Sequence, residues 1–162
     1  MSRNEKVTTI HLIAHNMGNR ALVRCLEEIS RESSSAAQIN QVVLAAPDVD
    51  AGVFLQLADA IATVPKRTTL YASSSDRPLI ISKQFHGYPR AGDIGEAIVI
   101  HDKMDTIDAS AISADIFGHS YYGSSRTVLH DIYDLFRNGS PPPRFGLEKA
   151  VLAGKSYWIF RP

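Results

Sequence analysis

Ile10-His11-Leu12-Ile13-Ala14-His15-Asn16-Met17-Gly18-Asn19-Arg20-Ala21-Leu22 runs from an apolar strand through a sharp turn into a helical pattern. The spacing is that of a nucleophile elbow: small residue, any residue, tip, any residue, Gly. Set between a buried strand and a helix, such a turn strains the tip residue and exposes its side chain at the strand's C-terminal end. Ala14 and Gly18 are the two small residues, and the tip is Asn16. An elbow of this kind ordinarily carries Ser. Asn lacks the hydroxyl on which acyl-enzyme chemistry depends. It is, however, the non-Gly type best suited to positive φ. Asn16 therefore reads as a comfortable occupant of a strained turn, or as a replacement for Ser, rather than as a nucleophile in its own right.

Outward from the elbow the chain alternates strands and helices. Val7 to Ala14 is a nearly continuous apolar run, as a strand covered on both faces requires. A helix over Met17 to Ile29 follows, with Leu22, Val23, Leu26 and Ile29 at helical spacing. Gln41 to Ala46 reads as a second strand closed by Pro47, Asp48 and Asp50, and Val53 to Ala62 as a second helix with Phe54, Leu57, Ala58 and Ile61 on one face. Thr68 to Ala72 is a third strand ending in Ser73-Ser74-Ser75-Asp76, and Pro78 to Phe85 a helix opened by proline. Ala97 to His101 is a fourth strand, Asp102 to Ser125 a long loop, and Thr127 to Phe136 a last helix. Residues 138–162 are expected to form an irregular tail, opened by Pro141-Pro142-Pro143 and packed on the body through Tyr157-Trp158-Ile159-Phe160. Alternation of this kind predicts a parallel sheet with helices on both faces.

The composition sets bounds. With 162 residues and 44% hydrophobic content, residues 1–162 fit one domain burying roughly 70% of its unfolded surface. Seventeen basic against seventeen acidic residues argue against a nucleic-acid partner or an anionic membrane surface. No apolar run approaches the ~18 to 20 residues of a membrane span, and Met1 to Lys6 is polar rather than signal-like. The single cysteine, Cys25, cannot form an internal disulfide and is expected to be a buried thiol of the first helix in a cytoplasmic protein. His11 and His15 lie four apart on a strand with no carboxylate at ligand spacing, so no metal site is expected.

In open parallel sheets, functional groups gather beyond the C-terminal strand ends. The first strand ends at Asn16, the third at Asp76, and the fourth leads to Gly118-His119-Ser120-Tyr121-Tyr122-Gly123. Tip, then acid, then histidine is the chain order of the triad that accompanies this elbow. Asp48 and Asp50 are an alternative acid site, although turn formation explains them equally. Asp76 has a second reading as a helix cap ahead of Pro78.

The segments His11 to Leu22, Leu44-Ala45-Ala46-Pro47-Asp48-Val49-Asp50-Ala51, Leu70 to Asp76 and Gly118 to Tyr122 together resemble the C-terminal half of a bacterial α/β-hydrolase group, esterase-like and mostly of unassigned function. The resemblance implies a three-layer α/β/α fold with a mostly parallel sheet of about four strands. It also implies a nucleophile position at Asn16, an acid at Asp76, a base at His119, and an ester or related acyl substrate with no cofactor. The Met17 N–H would serve as oxyanion donor, and Ser120 or one of Ser73 to Ser75 would be the alternative nucleophile. The resemblance covers only the group's C-terminal half, so the loop carrying the other oxyanion donor is expected to be missing. Two functions follow as expectations: an ester hydrolase crippled at Asn16, or a pseudoenzyme that binds a ligand or protein. Without the preceding strand, Val7 to Ala14 becomes an apolar sheet edge, which predicts a homo-oligomer through that strand or the helix after it.

Overall fold

The computed structural model of the protein describes residues 9–32, 39–75, 79–80, 87–94, 98–112 and 124–161. The described elements follow one another as β1 (Ile10–His15), α1 (Gly18–Arg31), β2 (Ile39–Ala45), α2 (Ala51–Thr63), β3 (Arg67–Ala72), β4 (Asp105–Asp108), α3 (Ser124–Asn138), β5 (Leu147–Leu152) and β6 (Lys155–Phe160). They form one sheet of order β1-β2-β3-β4-β6-β5, parallel throughout except for the antiparallel β5–β6 pair.

The alternation of side chains along the central strands decides the layers. On one face Val42, Leu44 and Leu70 meet Val23 and Leu26 of α1 and Phe54, Ala58 and Ile61 of α2. On the other, Val43, Ala45, Tyr71 and Ile107 meet Val128, Ile132 and Leu135 of α3. This is a three-layer α/β/α arrangement, and it explains why Val42 to Ala45 of β2 are all apolar: neither face of that stretch meets water.

Three expectations need correction. The stretch over 138–162 is not an irregular tail. After Pro141-Pro142-Pro143 the chain forms a hairpin whose two-residue turn places Ala153 at φ 48° and Gly154 at φ 79°. Paired positive φ values give a turn whose twist matches that of the strands, and β6 pairs with β4 through Ile107↔Trp158 and Asp108↔Ile159, making six strands rather than about four. The fourth strand is Asp105–Asp108, not Ala97 to His101, whose described part (98–101) lies outside any strand. Val99 is buried, but its carbonyl accepts a bond from the Thr106 hydroxyl at 2.8 Å instead of joining a ladder. Cys25 is exposed, because the buried residues of α1 are Asn19, Val23, Leu26 and Glu27 and position 25 falls off that face. The helix expected over Pro78 to Phe85 lies mostly outside the described residues.

The C-terminal hairpin is anchored by a buried polar cluster. Asp131 of α3 accepts bonds from Arg144 Nε (2.6 Å), Arg144 Nη2 (2.8 Å) and the Tyr71 hydroxyl (2.5 Å). Burial first, then the Asp131 charge, pushes the Tyr71 hydroxyl well above its ordinary pKa, so it stays neutral and donates. Burial opposes the charge of Arg144, but its bonds to Asp131 outweigh that and raise its pKa. The Asp131 and Arg144 side chains are each 2% exposed. Removing one partner strands a buried charge, so Arg144→Met should destabilise the protein by about 3–5 kcal/mol in urea titration, whereas removal of the exposed Arg161–Glu148 pair should cost under about 1 kcal/mol.

Candidate functional site at the C-terminal strand ends

The turn after β1 is a sharp strand-to-helix corner with Asn16 at its tip, φ 48°. Met17, the N-cap of α1, is already in the helical region at φ −63°. The carbonyl of Asn16 accepts from the Asn19 N–H (3.2 Å), from Asn19 Nδ2 (3.1 Å) and from the Asp48 N–H (3.2 Å), and its own N–H donates to the Ala45 carbonyl at 3.1 Å. Asn19, fully buried, reaches the Ala45 carbonyl with the same amide at 3.0 Å. The two small residues of the motif face each other, and a methyl group at Gly18 would meet Ala14 Cβ at 3.8 Å, ordinary contact. Met17 is 65% exposed, and among the described residues its N–H makes no hydrogen bond, leaving a donor beside the tip. The Asn16 Oδ1 atom is buried and without a partner.

The loop after β2 holds the second half of the site. Ala46 also has positive φ, 42°, and is fully buried. Asp48 accepts from Arg20 Nη2 at 2.8 Å, its carbonyl accepts from Arg20 Nε at 2.8 Å, and Arg90 Nε lies 3.2 Å from its other oxygen. Asp50 caps α2, its Oδ1 accepting from the Val53 N–H at 2.9 Å. The alternative acids therefore have structural partners: one is a clamp between two arginines and the other a helix cap.

Across these strand ends runs a strap over residues 89–93. Ala51 N–H donates to the Pro89 carbonyl, Ala91 N–H to Val49, Gly92 N–H to Pro47 and Ser73 N–H to Gly92, at 2.9, 2.9, 3.0 and 2.9 Å. Position 92 must be glycine, since a Cβ there would lie 2.5 Å from the Ala46 carbonyl carbon. Ser73 is buried, its Oγ 3.0 Å from Ser75 Oγ and accepting the Ser75 N–H, while the Ser74 N–H donates to Ser110 Oγ. These hydroxyls shape the end of β3. Asp76, His119 and Ser120 lie outside the described residues. Asn19, Arg20, Arg90 and Gly92 are the contributors that sequence reasoning missed. Only Gly87-Tyr88-Pro89-Arg90-Ala91-Gly92, a cluster of turn formers, signalled a structured loop there.

A parallel sheet sandwiched between helices, with a strained elbow at the end of its first strand, defines an α/β-hydrolase fold. The chain matches, over residues 1–136, the family described as alpha/beta hydrolase of unknown function (DUF900), and it belongs to that family. No curated protein and no solved structure matches it. Among the described residues no helix is long and apolar enough to cross a membrane.

The φ of the tip gives a direct test. Asn16→Gly should leave the midpoint of urea unfolding nearly unchanged, whereas Asn16→Val, forcing a β-branched side chain into the left-handed region, should cost about 1–2 kcal/mol or more.

Proposed function

We propose that this chain carries a carboxylester-hydrolase scaffold in which Asn16 occupies the nucleophile position, so that the acyl-binding geometry persists while turnover is weak or absent. The observation that carries this reading is Asn16 itself: a non-glycine residue at φ 48° on a turn whose carbonyl is held by three donors. A strained corner of that kind is retained where a side chain must be presented at a strand end, and the Met17 N–H beside it, which bonds none of the described residues, is the donor that a developing oxyanion would need. In this reading Asp76 and His119 complete the triad, the base held by the acid and facing position 16. An amide in place of the hydroxyl leaves His119 nothing to activate. What remains is oxyanion stabilisation and binding, worth about 10³- to 10⁴-fold over water in enzymes stripped of their triad. The lone, exposed Cys25 suits a reducing, cytoplasmic setting.

Hydrolysis of a p-nitrophenyl ester tests it. The chain as it stands should turn over near background. Asn16→Ser should raise the rate, but only partly if Met17 is the sole oxyanion donor, since a missing donor costs about 10²- to 10³-fold. His119→Ala in the Asn16→Ser background should erase the gain. Robust hydrolysis by the unmodified chain, lost with His119→Ala but kept when Asn16 is changed, would assign the chemistry to another hydroxyl such as Ser120.

A second reading, a binding module that assembles with its own kind, is favoured by the place of β1 at the edge of the described strands and by the 47% exposure of Ile13 on it. Two copies pairing these edges antiparallel would form an isologous dimer with the elbows near one interface. Sedimentation at micromolar concentration should then give a dimer that Ile13→Lys dissociates. A monomer under those conditions rules this reading out.

A further inference from the structure

At the end of the sheet away from the elbow, the starts of β2 and β3 and the last turn of α3 enclose a cavity of about 290 Å³. The seven residues of β2 put this end roughly 20 Å from the other. The way α3 ends gives the cavity its shape. Gly139 at φ 63° closes the helix, its N–H donating to the Leu135 carbonyl at 2.8 Å, and brings the chain against Gln41, whose Nε2 a Cβ at position 139 would meet at 3.4 Å. The Lys66 N–H donates to the Ile39 carbonyl at 3.1 Å and so pins Lys66 beside the start of β2.

Charge around the cavity is one-sided. Lys66, Arg67 and Arg137 line it, and among the described residues no carboxylate does, although the chain as a whole carries seventeen charges of each sign. Arg67 is answered by Asp105 at 2.6 Å. Lys66 and Arg137 are exposed, and neither has an ion pair or a side-chain hydrogen bond among the described residues. The C-terminus of α3 offers Arg137 about half a negative charge, which leaves more than one positive charge unanswered. Asn40 adds a neutral donor: its Oδ1 accepts from Gln41 Nε2 at 3.2 Å, and its Nδ2 has no acceptor among the described residues.

We propose that this cavity binds a phosphate dianion, free or carried on a small polar molecule, with Lys66 and Arg137 taking the charge and Asn40 a further oxygen. Two unpaired cations match the double charge of one such group, and its several strong acceptor oxygens exceed what a singly charged carboxylate offers. The volume lies just under the ~300 Å³ at which drug-sized pockets begin, so whatever carries the phosphate is small. The site shares no residue with the elbow and does not depend on chemistry at Asn16.

Inorganic phosphate and glycerol 3-phosphate are the probes, with acetate as the comparison, read by amide chemical shifts of the full chain at constant ionic strength. Both phosphates should move the amides of Asn40, Lys66 and Arg137 saturably, and bind more tightly than acetate. Tighter binding of glycerol 3-phosphate assigns the site to a monoester, and equal or weaker binding to the free ion. Lys66→Gln and Arg137→Gln, at exposed positions, should each weaken binding by about 10-fold, the loss expected for a hydrogen bond to a charged group. Their combination should abolish binding while leaving the rest of the spectrum intact. Arg126→Gln, which removes an exposed cation at the other end of α3, should bind as the unmodified chain does. No saturable shift up to tens of millimolar, acetate binding as tightly as phosphate, full binding in the double variant, or an equal loss in Arg126→Gln would each overturn the proposal.

Discussion

The carbonyl of Asn16 is the point on which the architecture turns. Three donors converge on it, two from Asn19 and one from Asp48, and together they fix where β1 stops, where α1 starts and how the β2 loop lies against both. A helix start leaves orphan backbone groups, and here no side chain caps α1. Asn19 works from within the first turn instead, bridging its own helix to the Ala45 carbonyl. The strain at Asn16 persists because these bonds over-determine it.

Two carboxylates, Asp48 and Asp131, are each gripped by arginines, with opposite consequences. Asp131 sits in the core with Arg144 and Tyr71, a closed set in which every charge is answered. Asp48 holds the half-exposed Arg20 on one side and, by charge alone, the buried Arg90 on the other. The first arrangement rigidifies and exposes nothing. The second leaves two buried nitrogens of Arg90 without hydrogen bonds, and the difference lies in geometry rather than in the residues used.

The layers were legible because periodicity reports burial. The second strand, the Phe54, Ala58 and Ile61 stripe of α2 and the elbow spacing all appear where the sequence puts them, whereas Val7 to Ala14, expected to be covered on both faces, leaves Ile13 47% exposed. Among the described strands β1 lies at the edge of the sheet, an expectation that came from the resemblance and not from its apolar pattern. β4 was hidden because aspartates bound it at both ends, and strands are depleted in that residue; Asp105 is tolerated by its ion pair with Arg67 at 2.6 Å, and Asp108 by accepting the Ser110 N–H. The β5–β6 hairpin was obscured by three prolines ahead of it and by an Ala-Gly turn, a weaker signal than Asn-Gly. At the site, Asn16 was legible from local spacing, but Arg90 was not. Its partner Asp48 lies forty-two positions earlier, and no local pattern encodes a contact between loops.

The strand order has a consequence for how the protein is made. β1 to β4 join the sheet in the order in which they emerge, each against the one before, but β6 lies between β4 and β5. β5 joins the sheet only through β6, so it has no place there until β6 has followed it. Until then the outer edge of β4 stands open, and Asp131 waits for an arginine thirteen residues further on. At synthesis rates of about 5–20 residues per second, roughly 3 to 10 s separate β4 from the end of β6. Over that interval the β4 edge that β6 will cover has no partner among the described strands, and an open edge of that kind invites association with neighbouring chains.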